Sequence, residues 1–277
     1  MHDAQAIGLE RLRALLGESF GLSISEGAIS TMLARAQAPL DAAAAAIGAQ
    51  VRVAPVVACD ETSLRVQGRP CWEWVFVTAA GVLHLIRPSR GAGVVRTLFG
   101  EARPRVWVSD SLGSQRGHAA EWQLCLAHLL RDAQDAIDCG DQGFAPAFKR
   151  LLLRAIAIAR RRDQLRDSTL RQDRAELDRR LDRVLALPRR GAAAERLRRR
   201  IARDRQHLFV CITERALRPS VILRKVTNGF RSQSGAETYA AFRSVVSTAK
   251  ANRRASLDTL RQALAADAPA HIASQPG

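Results

Sequence analysis

Hydrophobic and polar positions change period twice along the chain. From Leu9 to Leu16 the apolar residues recur at helical spacing. A turn at Gly21-Leu22-Ser23-Ile24 follows, and Ser25 is placed to cap a second helix through Met32 to Ala36. Glu26 in its first turn suits the helix dipole. Ala42–Gly48, after Asp41, reads as an alanine-rich helix or linker. Helix, short turn, helix is also the helix-turn-helix pattern. The second helix offers only Arg35 as a cation, however, which is poor for reading a DNA groove, so two ordinary packed helices are favoured.

Residues 51–110 switch to β patterning. Val51–Cys59, Cys71–Thr78 and Val82–Ile86 are rich in β-branched or aromatic residues, and Ala80-Gly81 predicts a hairpin turn. Trp72 and Trp74 alternate with Cys71 and Glu73, which places them in sheet core and hairpin surface rather than in base-stacking platforms. Gly91–Phe99 predicts a short helix and Val106–Ser109 another strand, so the segment reads as an α/β unit with three antiparallel strands first. From Ala119 onward the pattern is almost wholly helical. Residues 149–205 are free of aromatics and break at Leu187-Pro188-Arg189-Arg190-Gly191, as an antiparallel helical pair would. A short apolar stretch, His207–Ile212, precedes a last helix over Ala236–Ala251.

Composition narrows the partner. The 277 residues are 47% hydrophobic, enough for a sizeable core, and carry a formal net charge of +16. That excess points to a polyanion, with nucleic acid ahead of an anionic membrane surface. No apolar run is long enough to span a bilayer, and Met1-His2-Asp3-Ala4-Gln5 lacks the basic start and apolar stretch of a signal peptide. Five scattered cysteines suit a reducing cytoplasm and argue against a disulfide framework or zinc finger. Cys125-x-x-His128 has no second pair nearby, so no zinc site is expected there. Residues 149–205 hold 20 Lys and Arg against 8 Asp and Glu, a surplus of 12. Signs alternate over Arg174–Arg180, as on a solvated helix face. The surplus nevertheless favours a helical insertion facing the DNA backbone, with Arg160, Arg161, Arg162, Arg198, Arg199 and Arg200 as its cations.

Two aspartates stand out. Asp60 follows the apolar run Val51–Cys59, and Asp110 follows Val106–Ser109. Burying an unpaired carboxylate at a strand end is costly, and the cost is tolerable where the carboxylate binds a cation such as Mg²⁺. Either residue could instead make a local turn, Asp60 through Thr62 and Asp110 through Ser111. Glu61 is a decoy, since adjacent strand residues point to opposite faces.

An ordered series of stretches is more specific. It runs through Gly21-Leu22-Ser23-Ile24-Ser25-Glu26-Gly27, Cys59-Asp60-Glu61-Thr62, Trp107-Val108-Ser109-Asp110 and Gln123–Asp132. It continues through Glu214–Ile222, Arg224–Ser232 and Ser247–Lys250. In these the chain resembles the DDE transposases of the insertion-sequence 66 family over nearly its whole length. The resemblance implies an RNase H-like mixed sheet core with a largely helical insertion, preceded by a helical segment. Its boundaries would be a helical segment 1–50, the first part of the core 51–118, a basic helical insertion 119–206, and the rest of the core 207–277. It implies a catalytic and metal-binding triad of Asp60, Asp110 and Glu214 holding two Mg²⁺ or Mn²⁺ ions. Two such ions, roughly 3.5–4 Å apart, activate the oxygen nucleophile and stabilise the leaving oxygen in phosphodiester cleavage and strand transfer. Arg215, Arg218, Arg224, Lys225 and Arg231 would grip flanking phosphates, and His128, on a helix beside the site, would bond an acid or a phosphate. Glu214 could instead be an exposed helix residue paired with Arg218.

The same resemblance implies DNA partners (transposon ends and target), assembly of several copies on DNA, accessory transposition proteins, and a cytoplasmic, nucleoid-associated location in bacteria. Two departures qualify it. Upstream DNA-binding and zinc-binding elements of the family have no counterpart here, so end recognition would be lost or supplied by another polypeptide. The proline-containing loop and Thr-Asn-Asn stretch before the third acid are also missing, since Ile212 runs straight into Thr213-Glu214. A shift of about 1 Å can cost roughly a hundredfold in rate. An active transposase and a catalytically inactive DNA-binding descendant both fit these residues. An RNase H-like nuclease for hybrid substrates fits the acids but not the wider series.

Overall fold

The structure, a computed structural model, describes residues 8–213, 230 and 232–265. Helices α1 (Leu9–Phe20) and α2 (Glu26–Arg52) come first, then strands β1 (Val56–Val66), β2 (Arg69–Val77) and β3 (Val82–Arg87). Next are α3 (Gly93–Phe99), β4 (Val106–Ser109) and β5 (Glu121–Leu124). The remainder is helical: α4 (Leu126–Asp138), α5 (Phe144–Arg161), α6 (Asp167–Leu185), α7 (Gly191–Arg203), α8 (Val210–Thr213), α9 (Gln233–Ala251) and α10 (Ser256–Ala265). Hydrogen bonding orders the strands β3-β2-β1-β4-β5 in a mixed sheet. Pairing is antiparallel between β2 and β3 and parallel for β1 with β4 and β4 with β5. The chain is thus a mixed α/β protein. No helix among the described residues is long and apolar enough to cross a membrane.

The chain clusters into two compact units, the first being Met1–Ala54, Cys59–Ala102 and Arg224–Gly277, the second Pro55–Ala58 and Arg103–Leu223. In the first, Ser25 caps α2 as its sequence predicts, its Oγ accepting from the Ala28 amide at 3.1 Å. The helix then continues through Pro39 and the alanine run to Arg52, so Val51–Cys59 is not one strand. Alanine has the highest helix propensity. Leu40 packs with Ala241 and Val245 of α9, flanked by Ala36, Ala44 and Ile47 at helical spacing. This tertiary stripe outweighs the backbone hydrogen bond forfeited at Pro39. Strand β1 starts only at Val56. A two-residue loop, Gln67 and Gly68 with φ of 50° and 75°, turns β1 into β2. Positive φ at both positions is the type I′ hairpin requirement.

Strand β3 lies at the sheet edge, and α9 covers it. The Val82 and His84 amides donate to Thr248 Oγ1 and Ser244 Oγ, both at 2.9 Å. Unpaired edge amides are thereby satisfied without a further strand. Gly81 keeps this approach close, since a Cβ there would lie 3.0 Å from Thr248 Oγ1 and 3.3 Å from Ile47 Cγ2. Below this edge His84 Nδ1 sits 2.8 Å from Glu73 Oε1, and Nε2 sits 3.0 Å from Ser247 Oγ, all of them buried. Trp74 is buried core, stacked on Phe76 with centroids 6.2 Å apart, and Trp72 is half-buried.

The second unit corrects the wholly helical expectation after Ala119, because Glu121–Leu124 forms β5 on β4. Its helices number more than a pair. Residues Phe148, Leu151, Leu152, Ala155, Ile158 and Ala159 make the buried stripe of α5, against Leu170, Leu177 and Leu181 of α6 and Ala194, Leu197 and Ile201 of α7. The break at Pro188 is docked on the start of α5. The Phe144 amide donates to the Pro188 carbonyl at 3.0 Å, and any Cβ at Gly143 would strike that carbonyl. Buried Asp141 accepts from the Ala145 amide at 2.8 Å and from the Arg190 amide at 2.6 Å, binding the α6–α7 turn to α5.

Candidate active site

Asp60 is the fifth residue of β1, mid-strand rather than at a strand end. Val57, Cys59 and Glu61 are buried, whereas Val56, Ala58, Asp60 and Thr62 are half-buried, so Asp60 and Glu61 take opposite faces. The Asp60 Oδ1 accepts from the Glu61 amide at 3.0 Å. The Glu61 side chain is 1% exposed and paired to Arg90 through Nε at 3.0 Å and Nη2 at 2.9 Å. A buried carboxylate tied to a guanidinium in this way serves the fold.

Asp110 leaves the end of β4, as its sequence predicts. Its Oδ1 accepts from the Leu112 amide at 2.9 Å, an Asx-turn that fixes the carboxylate. Ser109 Oγ donates to the Asp110 carbonyl at 3.0 Å and accepts from Trp122 Nε1 at 2.9 Å. Ser109 pairs with Leu124 of β5, and the Cys125 amide donates to the Ser109 carbonyl at 2.7 Å. Helix α4 therefore opens at the same sheet end from which Asp110 departs. A helix N-terminus favours anions. His128 is half-buried in the first turn of α4.

Pairing of β1 with β4 covers Val56–Val106, Val57–Trp107 and Ala58–Val108. Each aspartate stands two residues beyond a partner in the last of these pairs.

Glu214, Arg215, Arg218, Arg224, Lys225 and Arg231 lie outside the described residues. The chain leading up to Glu214 is held by two buried side chains, Gln123 and Arg162, the latter expected from sequence to face DNA. Gln123 Nε2 donates to the Leu124 carbonyl at 2.6 Å and the Leu208 carbonyl at 2.9 Å, and its Oε1 accepts from the Cys211 amide at 2.9 Å. Arg162 Nη1 donates to the Cys211 carbonyl at 3.0 Å. A glutamine in a buried strand was the available signal, since a buried amide must find partners. Burial pushes the Cys211 thiol up to about 11, so it stays protonated at neutral pH and offers no thiolate.

A second polar cluster pins the loop after Asp110. Buried Asp204 accepts from Arg116 Nη2 at 3.1 Å and from Arg203 Nη2 at 2.7 Å. The Arg116 guanidinium also lies 4.6 Å from the Trp122 ring centroid. His207 also packs on Trp122, with ring centroids 4.8 Å apart and its Nδ1 3.1 Å from the Trp122 carbonyl.

Among the described residues no three His, Cys, Asp or Glu side chains group as a metal site, Cys125 and His128 included. A cavity of about 410 Å³ in the first unit is lined by Asp41, His84 and Glu237 among others, not by Asp60 or Asp110. The six arginines expected to face DNA also need correction. Arg162 is buried, Arg198 and Arg199 bind Glu195, and Arg200 binds Asp132. Only Arg160 and Arg161 of that set are exposed without an ion pair among the described residues.

The described residues thus form a mixed α/β protein in which an acid leaves a parallel strand and the helical part is basic. The family model of the IS66 transposases matches residues 2–238, and the chain belongs to that family. Among curated proteins none matches the chain.

Gln123→Leu is expected to leave the Cys211 amide and Leu208 carbonyl buried without partners, costing about 2–4 kcal/mol in denaturant unfolding. An unchanged midpoint would remove Gln123 as the anchor of this segment. Burial, aided by the Arg116 charge, holds the His207 imidazole below its usual 6.5 against the opposing pull of the Trp122 carbonyl and Asp204. The unfolded chain therefore takes up this proton first. The cost is absent above pH 6.5 and grows as pH falls toward the folded value. An NMR titration should place His207 below 6.5, and lower still in Asp204→Asn; a rise in that variant would refute the assigned coupling.

Proposed function

We propose that this chain is a DNA-cutting and DNA-joining transposase with an RNase H-like core, in which Asp60, Asp110 and Glu214 hold two Mg²⁺ or Mn²⁺ ions. The observation that carries this is the parallel register of Val56–Ala58 on Val106–Val108, with an aspartate two residues further along each strand. The strand order, an antiparallel hairpin on one side of β1 and parallel strands on the other, supports the RNase H-like assignment.

The donor set suits a hard divalent cation. Asp110 is oriented by the Leu112 amide through Oδ1, and its Oδ2 accepts no hydrogen bond among the described residues. Carboxylate oxygens are the ligands such cations take together with substrate phosphate. When bound, the ions supply an activated oxygen nucleophile and stabilise the leaving oxygen. The protein's part is placement. Asp60 is carried on β1, and Asp110 leaves the end of β4 into a turn that holds its carboxylate. The opening of α4 favours a phosphate beside His128. Gln123 and Arg162 fix the segment that ends at Thr213, which supports delivery of Glu214 to the site despite the short approach. Arg215, Arg218, Arg224, Lys225 and Arg231 would then hold flanking phosphates on transposon ends and target. Oligomeric assembly on DNA, accessory proteins and nucleoid association complete this reading.

Cleavage of a duplex carrying the element's own ends, with Mn²⁺, tests it. Wild type should nick at the 3′ ends, and Asp60→Asn, Asp110→Asn and Glu214→Gln should each lose at least about a thousandfold in rate while still binding DNA. Salt-sensitive binding by wild type without any cleavage would instead identify a non-catalytic DNA-binding descendant, and preference for an RNA–DNA hybrid would identify a nuclease.

A further inference from the structure

Within the second unit the twelve-charge surplus of residues 149–205 is unevenly exposed. On α6, Glu176 binds Arg179, Arg180 and Arg183, and Arg174 is held by Asp178. On α7, Glu195 binds Arg198 and Arg199, and also Arg189 from the preceding turn. Each of these guanidiniums lies against a carboxylate, shared among three arginines at Glu176 and at Glu195, and would have to loosen that contact to take another anion.

Helix α5 differs. Its exposed positions are Arg150, Leu153, Arg154, Ala157, Arg160 and Arg161, one continuous face at spacings of three and four residues. The helix contains no Asp or Glu. None of the four arginines makes an ion pair or hydrogen bond among the described residues, whereas Lys149 is turned aside to Gln134 of α4. Leu153, 49% exposed, lies between Arg150 and Arg154. Arg150 and Arg154, four residues apart, disfavour the helix by a few tenths of a kcal/mol, a cost that a bound polyanion relieves. Arg150 to Arg161 spans about 16 Å at 1.5 Å per residue. That length matches roughly five phosphates of one B-DNA strand, spaced about 3.4 Å along the axis.

We propose that this face of α5 is a docking surface for the sugar–phosphate backbone of duplex DNA, with Arg150, Arg154, Arg160 and Arg161 each neutralising phosphate without reading sequence. The proposal rests on the chain acting on DNA, and it locates the contact. Specificity would come from elsewhere, because phosphate contacts position a duplex and carry no sequence information directly.

Fluorescence anisotropy on the full chain with a 30-base-pair duplex, from about 50 to 200 mM salt, tests it. One variant carries Arg150, Arg154, Arg160 and Arg161→Gln. A second, with the same change in net charge, carries Arg179, Arg180, Arg198 and Arg199→Gln. Glutamine keeps the helix propensity of arginine, and melting curves of both variants verify folding. Neutralising four phosphates gives a slope of log K on log salt of about −3.6. The α5 variant should therefore lose about 3 to 4 from the wild-type slope, and about a hundredfold of the salt sensitivity over that range. The control should lose no more than about 1. The double variant Arg154→Gln with Arg160→Gln should lose about half as much as the quadruple. Equal losses in the two quadruple variants would mean that overall charge alone is felt, and an unchanged slope in the α5 variant would mean that the face is not used; either overturns the proposal and leaves the DNA-processing reading intact. Absence of salt-dependent DNA binding by wild type would overturn both.

Discussion

Three residue pairs, Val56–Val106, Val57–Trp107 and Ala58–Val108, set the register on which the proposed chemistry depends. Side chains alternate along a strand, so a slip of one residue would carry every inward side chain to the opposite face. Val57 and Trp107 are both fully buried and make that slip costly. The register thus fixes more than packing. Two residues further along the chain stand Asp60 in β1 and Asp110 just after β4.

Buried polar groups then specify the surroundings. Apolar packing tolerates shifts, but a buried amide or charge left without partners costs about 1–3 kcal/mol or more. Gln123 and Arg162 converge on Cys211, and Arg116 and Arg203 converge on Asp204. Each arrangement permits few alternatives, so the loop after Asp110 and the segment before Glu214 are held by directional bonds. The first unit uses the same device at its edge, where hydroxyls of α9 satisfy β3 and the Glu73–His84–Ser247 chain lies beneath. Helix α5 shows the converse. It holds no acid, and its four exposed arginines have no carboxylate partners among the described residues, whereas most arginines of α6 and α7 lie against one.

Local signals were legible in the sequence where they decide the structure. Ser25 caps its helix, Ala80-Gly81 precedes β3, and Val106–Ser109 is a strand ending at Asp110. The departure of Asp110 from the end of β4 and the opposite faces of Asp60 and Glu61 were also legible, whereas the mid-strand place of Asp60 was not. Long-range terms were not. Val51-Arg52-Val53 looks β-branched enough for a strand, yet the stripe from Ala36 to Val51 draws it into α2, with Val51 fully buried and Val53 81% exposed. Strand β5 is four residues long and buried over three of them, so it shows no alternation. Charge counting located the basic segment but could not tell clasped arginines from exposed ones, because ion pairing depends on which helix face each side chain occupies.

Mn²⁺ binding, followed by electron paramagnetic resonance on the full chain, tests the central claim most directly. Wild type, Asp60→Ala and Asp110→Ala would be compared, with melting curves verifying that each variant is folded. Two aspartates holding one metal centre predict tight binding by wild type and its loss in each single variant. Binding that persists in either folded variant would mean that the two strands do not share a metal centre.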